Sequence, residues 1–176
     1  MKLIISAGMP GAGKEEFLTA GMDAGVPFVR MGDVVRECYA SSGAEAKGLS
    51  VGEYAGGERK TYGADIWAKR VMERVKSDLC IIDGCRSMDE INSFKKLGGD
   101  VTIVAIHASP SIRYDRLVKR QRADAPKNLG EFEERDSREL SWGVGSVLAL
   151  ADHIIDNTGS LEDFHKRSAE LMRALR

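Results

Sequence analysis

Short apolar runs alternate along the chain with longer stretches of helical spacing. The runs lie at 2–7, 26–30, 79–83, 101–107 and 153–156. Each is too short for an ordinary helix and rich in Val, Ile or Leu, as in strands buried on both faces. Over 61–76, Ala64, Trp67, Ala68, Val71 and Val75 fall on one helical face. Near the C-terminus Leu161, Phe164, Ser168, Leu171, Met172 and Leu175 do the same, after a capping-box-like Ser160-Leu-Glu-Asp163. Strands alternating with helices predict an α/β fold, with helices on both faces of a central parallel, five-stranded sheet. Two segments read as loose by composition: 41–63, rich in Gly and Ser, and 123–130, with Pro126 and Gly130.

Composition narrows this picture. The 176 residues, 43% hydrophobic, suit a single domain over 1–176 with a proper core. A net charge of -1 argues against a general nucleic-acid or membrane-surface binder, so a basic site must be local. No apolar run reaches membrane-spanning length, and no secretory signal is readable. Cys38, Cys80 and Cys85 are odd in number and lack paired metal spacing. They read as reduced thiols of a cytoplasmic protein, Cys80 inside a strand, with a redox role for Cys85 as the alternative. His107 reads as a hydrogen-bonded structural residue, and His153 and His165 as structural or exposed. No Ser–His–Asp, Cys–His or zinc-ligand pattern is present.

The densest chemical signal is Gly8-Met9-Pro10-Gly11-Ala12-Gly13-Lys14, which follows the apolar Leu3-Ile4-Ile5 and precedes a helical stretch. Strand, glycine-rich loop and helix in this order cradle nucleotide phosphates: backbone N–H groups point inward, the lysine reaches the β- and γ-phosphates, and the helix adds its positive end. Gly8 through Glu15 are therefore candidate ATP phosphate ligands. The motif G-x-x-x-x-G-K-[ST] departs only at its last place, where Glu15 stands instead of a Mg²⁺-ligating hydroxyl. Unit charges about 4 Å apart repel by on the order of 4 kcal/mol at intermediate dielectric. Glu15 and Glu16 must therefore face away, take a proton or bind the metal. Asp83 ends the run 79–83, and in parallel sheets the carboxyl ends of strands border the ligand crevice. Asp83 is thus a candidate to hold Mg²⁺ through water or to position an attacking oxygen, with Arg86 pointing into the same cleft. Arg113, Arg116 and Arg120 share a helical face, and Arg135 and Arg138 lie one turn apart. Arg120, Arg122, Arg135 and Arg138 are candidates to neutralise a transferring phosphoryl group, within a short lid over 120–138. Arg113 and Lys119 read as solvated helix charges.

Together these pieces resemble adenylate kinases and related small P-loop kinases over nearly the whole chain. More closely, they resemble a largely archaeal group of adenylate-kinase-related proteins. Met31-Gly32-Asp33-Val34-Val35-Arg36 is similar to the segment that holds the acceptor nucleotide, which implies acceptor contacts for Gly32, Asp33 and Arg36 within 31–63. Asp83-Gly84-Cys85-Arg86 resembles an Asp-Gly-(Phe/Tyr)-Pro-Arg turn shortened by one residue. The resemblance implies a phosphate contact for Arg86 and a place near Mg²⁺ for Asp83. Glu90 falls where those kinases read adenine with glutamine; a carboxylate suits an amino-bearing edge such as adenine N6 or cytosine N4. The stretch 151–163 is similar to dephospho-coenzyme A kinases, which implies that Asn157 and Thr158 lie near the donor adenine. The implied fold is a three-layer αβα P-loop NTPase domain. The implied reaction moves the γ-phosphoryl group of ATP, with Mg²⁺, to a nucleoside monophosphate, AMP or CMP. ATP and a nucleotide-like acceptor would be the partners, without nucleic acid or membrane. Two other readings stay open. One is phosphorylation of a hydroxyl as in dephospho-coenzyme A, with Asp33 the nearest base. The other is a nucleotide-binding regulatory module, which Glu15 keeps in play.

Overall fold

The structure, a computed structural model, describes residues 1–120 and 125–176. Its strands are β1 (Lys2–Ala7), β2 (Phe28–Arg30), β3 (Leu79–Asp83), β4 (Asp100–His107) and β5 (His153–Asp156). They form one parallel sheet in the order β2-β3-β1-β4-β5. All five expected strands are present. β2 starts later than residue 26 because the Val26 N–H closes the preceding helix on the Gly21 carbonyl, at 2.9 Å. Pro27 has no N–H to offer a ladder.

The helices among the described residues are α1 (Lys14–Asp23), α2 (Met31–Ser42), α3 (Val51–Tyr62), α4 (Ile66–Met72), α5 (Met88–Lys96), α6 (Pro110–Lys119), α7 (Leu129–Ser141), α8 (Val144–Ala149) and α9 (Leu161–Leu175). They cover both faces of the sheet and divide the core in two. Leu3 and Ile5 join Trp67, Ile82 and Phe94 on one face; Ile4 joins Phe17, Val104, Phe164 and Met172 on the other. Successive β1 side chains point to opposite faces, and both are covered. That is why the strand is apolar throughout rather than alternating.

Segment 41–63 departs from expectation. Most of it is helical: α2 runs to Ser42, a 3₁₀ turn spans Glu45–Lys47, and α3 fills Val51–Tyr62. Three glycines weaken α3 intrinsically, but a capping box starts it. Ser50 Oγ accepts the Glu53 N–H at 3.2 Å, and the Ser50 N–H donates to Glu53 Oε2 at 2.8 Å. Trp67 Nε1 then donates to the Ala55 carbonyl at 3.2 Å and fastens α3 to α4. The single helix expected over 61–76 is broken at Gly63, whose φ of 104° ends α3. Ala64 is consequently exposed, while Trp67, Ala68 and Val71 keep the buried face. The last helix begins as expected, with the Asp163 N–H bonded to Ser160 Oγ at 3.1 Å.

Candidate functional site

The loop after β1 is held in shape by close backbone approach. A Cβ on Gly8 would sit 2.7 Å from the Ile106 carbonyl oxygen, so only glycine can leave the sheet there. Gly13, with φ of 110°, caps α1, and a Cβ on it would fall 2.1 Å from Asn157 Nδ2. Asn157 is only 2% exposed and donates from Nδ2 to the Ala12 carbonyl at 2.8 Å. Arg116 Nη2 donates to the Asn157 carbonyl at 2.9 Å. Asn157, expected beside an adenine, is thus engaged in bracing the loop from below. Thr158 is exposed and donates to Asp156 Oδ2 at 2.6 Å.

Lys14 folds back over the loop, donating from Nζ to the carbonyls of Gly8 at 2.7 Å and Met9 at 3.3 Å. Enclosure by the loop lowers its pKa, against the opposing pull of Asp83 and Glu139. The two carboxylates that follow are each engaged by a side chain from another element. Arg30 Nη2 donates to Glu15 Oε1 at 2.7 Å, and the Arg30 guanidinium lies 4.9 Å over the Phe28 ring. Glu16 Oε2 lies 2.7 Å from His165 Nε2. Glu15 and Glu16 each have a partner, and both still line the cleft beside Lys14.

The register that pairs Ser6 with Asp83 sets both beside the loop. Among the described residues, Ser6 Oγ and Asp83 Oδ1 are buried with no hydrogen-bond partner. Burial raises the Asp83 carboxyl above its ordinary value, opposed chiefly by the Lys14 ammonium. Among the described residues no cluster of three or more His, Cys, Asp or Glu could ligate a metal directly.

Beyond Asp83, the chain turns through Gly84 and Cys85 to Arg86, which lines the cleft with Lys14. Arg86 Nε donates to Glu139 Oε2 at 2.8 Å, and its guanidinium lies 4.9 Å over the Trp142 ring. Glu90 does not face the cleft. It is fully buried; Oε1 accepts from Arg59 Nη2 at 3.0 Å and Oε2 from the Arg86 N–H at 2.8 Å. With both oxygens engaged it ties α3 to the 84–87 turn rather than reading a base. Cys85 is buried and its thiol pKa is pushed well up by desolvation, then by Glu90, so it is a poor nucleophile. Burial also pushes Cys80 up, to about 11.

The far wall of this cleft, about 560 Å³ in volume, carries Arg116, Lys119 and Arg120 from α6 and Arg135 from α7. Arg138 is exposed and does not line the cleft; Arg122 lies outside the described residues. Arg113, read as a solvated charge, is 3% exposed instead. It donates to both Asp136 carboxylate oxygens and, from Nη1, to the Pro10 carbonyl at 3.2 Å. It therefore joins the phosphate loop to α7. Gly32, Asp33 and Arg36 lie on the first turns of α2, away from this lining, and exposed Arg36 is paired with Asp33. His107 is exposed and faces Asp156 at 3.8 Å.

Glu139, Trp142, Ser6 and the bracing role of Asn157 escaped the sequence reading. Only Glu139 and Trp142 carried a signal: they stand three residues apart, a helical spacing, just before Gly143.

Comparison with known proteins agrees with this geometry. The AAA_17 family, an AAA domain, matches residues 7–133. A UPF0200 protein of Thermoplasma volcanium is 43% identical over 171 residues, covering 97% of this chain and 96% of its own. A UPF0200 protein of Thermococcus onnurineus is 39% identical, with 98% and 97% covered. Two solved structures share the fold. TT1252 from Thermus thermophilus has a TM-score of 0.63 at 17% identity, covering 99% of this chain and 98% of its own. A gluconokinase from Sinorhizobium meliloti has a TM-score of 0.61 at 16% identity, covering 99% and 93%. No helix among the described residues is long and apolar enough to cross a membrane. With its phosphate loop, its parallel sheet and relatives alike over nearly their full length, the chain belongs to the UPF0200 family and carries an AAA-type P-loop domain.

Proposed function

We propose that this protein transfers the γ-phosphoryl group of ATP to a nucleoside monophosphate, AMP or CMP. One observation carries the reading: Lys14, at the mouth of a glycine loop, lines a cleft together with Asp83 and Arg86, and the other wall of that cleft holds Arg116, Lys119, Arg120 and Arg135. A cation-lined cleft at the helix end of a phosphate loop suits polyphosphate. In the reaction the bond between the γ-phosphorus and the β,γ-bridging oxygen breaks. A new bond forms to an oxygen of the acceptor's phosphate, and ADP leaves. That oxygen is already ionised, so no general base is needed. Alignment and charge neutralisation then carry the catalysis.

Lys14 exchanges the carbonyls of Gly8 and Met9 for phosphoryl oxygens when ATP enters. Arg120 and Arg135 neutralise charge on the transferring group from the opposite wall, and Arg86 takes the acceptor's phosphate. Mg²⁺ fits the edge of β3, where the unpartnered Ser6 Oγ and Asp83 Oδ1 would accept hydrogen bonds from its bound water. Bound with ATP, it would supply charge neutralisation at the β- and γ-phosphoryl oxygens. The Glu15–Arg30 pair supports this reading over a purely regulatory one, because the Arg30 guanidinium offsets the charge that Glu15 brings to the cleft. The hydroxyl-phosphorylation alternative is less well supported, since its base candidate Asp33 is tied to Arg36 outside the cleft.

Incubation of the purified protein with Mg-ATP and, separately, AMP, CMP, GMP, UMP and dephospho-coenzyme A separates the readings. Acceptor-dependent ADP with AMP or CMP is the expected result. ADP formed only with dephospho-coenzyme A points to hydroxyl transfer, and tight ATP binding without acceptor-dependent ADP points to the regulatory module.

A further inference from the structure

Arg86 is held on three sides. Its backbone N–H is bonded to the buried Glu90, its Nε to Glu139, and its guanidinium face lies on Trp142. Glu139 and Trp142 both come from the C-terminal end of α7, where Trp142 is the capping residue. Gly143 follows with φ of 102°, and a Cβ there would lie 3.5 Å from the Arg86 carbonyl oxygen. The α7–α8 junction therefore runs directly along the Arg86–Ser87 backbone. The Glu139 side chain is 11% exposed and that of Arg86 35%. A well-buried carboxylate thus anchors an arginine whose end reaches the cleft.

A guanidinium has five N–H donors in a rigid fork. Among the described residues the side-chain hydrogen bond of Arg86 uses only Nε, which leaves the two Nη groups for a planar, bidentate contact of the kind that suits phosphate. An arginine fixed in advance by an ion pair and an aromatic face loses less rotamer freedom when it binds. Against this stands the charge of Glu139 itself, a carboxylate on the wall of an anion-binding cleft. A carboxylate that merely occupied the phosphate's place would repel it, and removing it would tighten binding. The two roles predict opposite signs.

We infer that Glu139 and Trp142 are positioning residues that hold Arg86 with its Nη groups presented to the acceptor's phosphate. The inference rests on the reading of Arg86 as the acceptor's phosphate ligand. It also makes the helix that carries Arg135 part of the acceptor site, so that the two walls of the cleft form one unit.

Titration calorimetry on the full chain, with AMP and CMP as probes and ATP titrated separately, tests it. Arg86→Ala and Glu139→Ala are each expected to weaken monophosphate binding about tenfold. The double variant is expected to bind no more weakly than Arg86→Ala alone, because Glu139 acts only through Arg86. Trp142→Phe retains the aromatic face and most of the affinity; Trp142→Ala loses it. Near-isosteric Glu139→Gln, expected to fall between wild type and Glu139→Ala, carries the comparison if the alanine variant melts early. Unchanged or tighter binding in the Glu139 variants, or additive losses in the double variant, would overturn the inference and leave the kinase reading intact. If wild type binds ATP but neither monophosphate, the acceptor reading fails and takes this inference with it.

Discussion

At the scale of single residues, the site is a balance of buried charge. Lys14 and Asp83 are each shifted toward their neutral forms by desolvation, and each partly restores the other. For Asp83 the sign is definite. Its folded pKa lies above the ordinary 3.8, so its contribution to stability is fully present below 3.8 and is lost as pH rises through the raised value. The unfolding free energy of wild type minus that of Asp83→Asn, from urea titrations, is expected to decline as pH rises from about 4 to 7. A rise over that range would place the folded pKa below the ordinary value. Neither perturbation is visible in the sequence, which gives the identity of Asp83 but not its burial beside Ser6. Glu15 makes the same point in reverse. Its motif position suggested a conflict with phosphate, and Arg30, fifteen residues away in sequence, pairs with its charge.

At the scale of elements, local signals succeeded where packing agreed with them. The five strands were readable because each is a short apolar run, with β1, β3 and β4 buried through their middles, and Ser160 announced the last helix. Segment 41–63 was misread because glycine content was weighed and the Ser50–Glu53 box was not. Ser50→Ala is expected to cost about 1 kcal/mol of stability and to speed amide exchange in the first turn of α3. Exchange that is unaltered over Val51–Tyr62 would mean that contacts to Trp67 alone hold the helix. Glu90 illustrates a different limit. Its place in a family motif suggested base recognition, but a buried carboxylate must be paired, and the pairing of α3 with α5 supplies Arg59.

At the scale of the whole molecule, a sheet of order β2-β3-β1-β4-β5 brings the loop after β1, the acid ending β3 and the asparagine after β5 to one edge. α6 and α7 lay their cations across it. If this edge binds ATP, folding and binding are linked by mass action. ATP at about 100 times its Kd is expected to raise the unfolding free energy by about 2.7 kcal/mol. Lys14→Ala should lose most of that gain, and an equal shift in wild type and variant would exclude Lys14 from the phosphates. The chain by itself determined the α/β class, the strands, the phosphate loop and most of the cations, because periodicity and motif spacing are local properties. Tertiary structure alone decided which charges meet: Arg86 with Glu139, Glu90 with Arg59, Arg113 with Asp136, Asn157 with the loop. Those partners lie far apart in sequence, and only the packing of helices on the sheet, which buries charges and so forces them to pair, selects one partner over another.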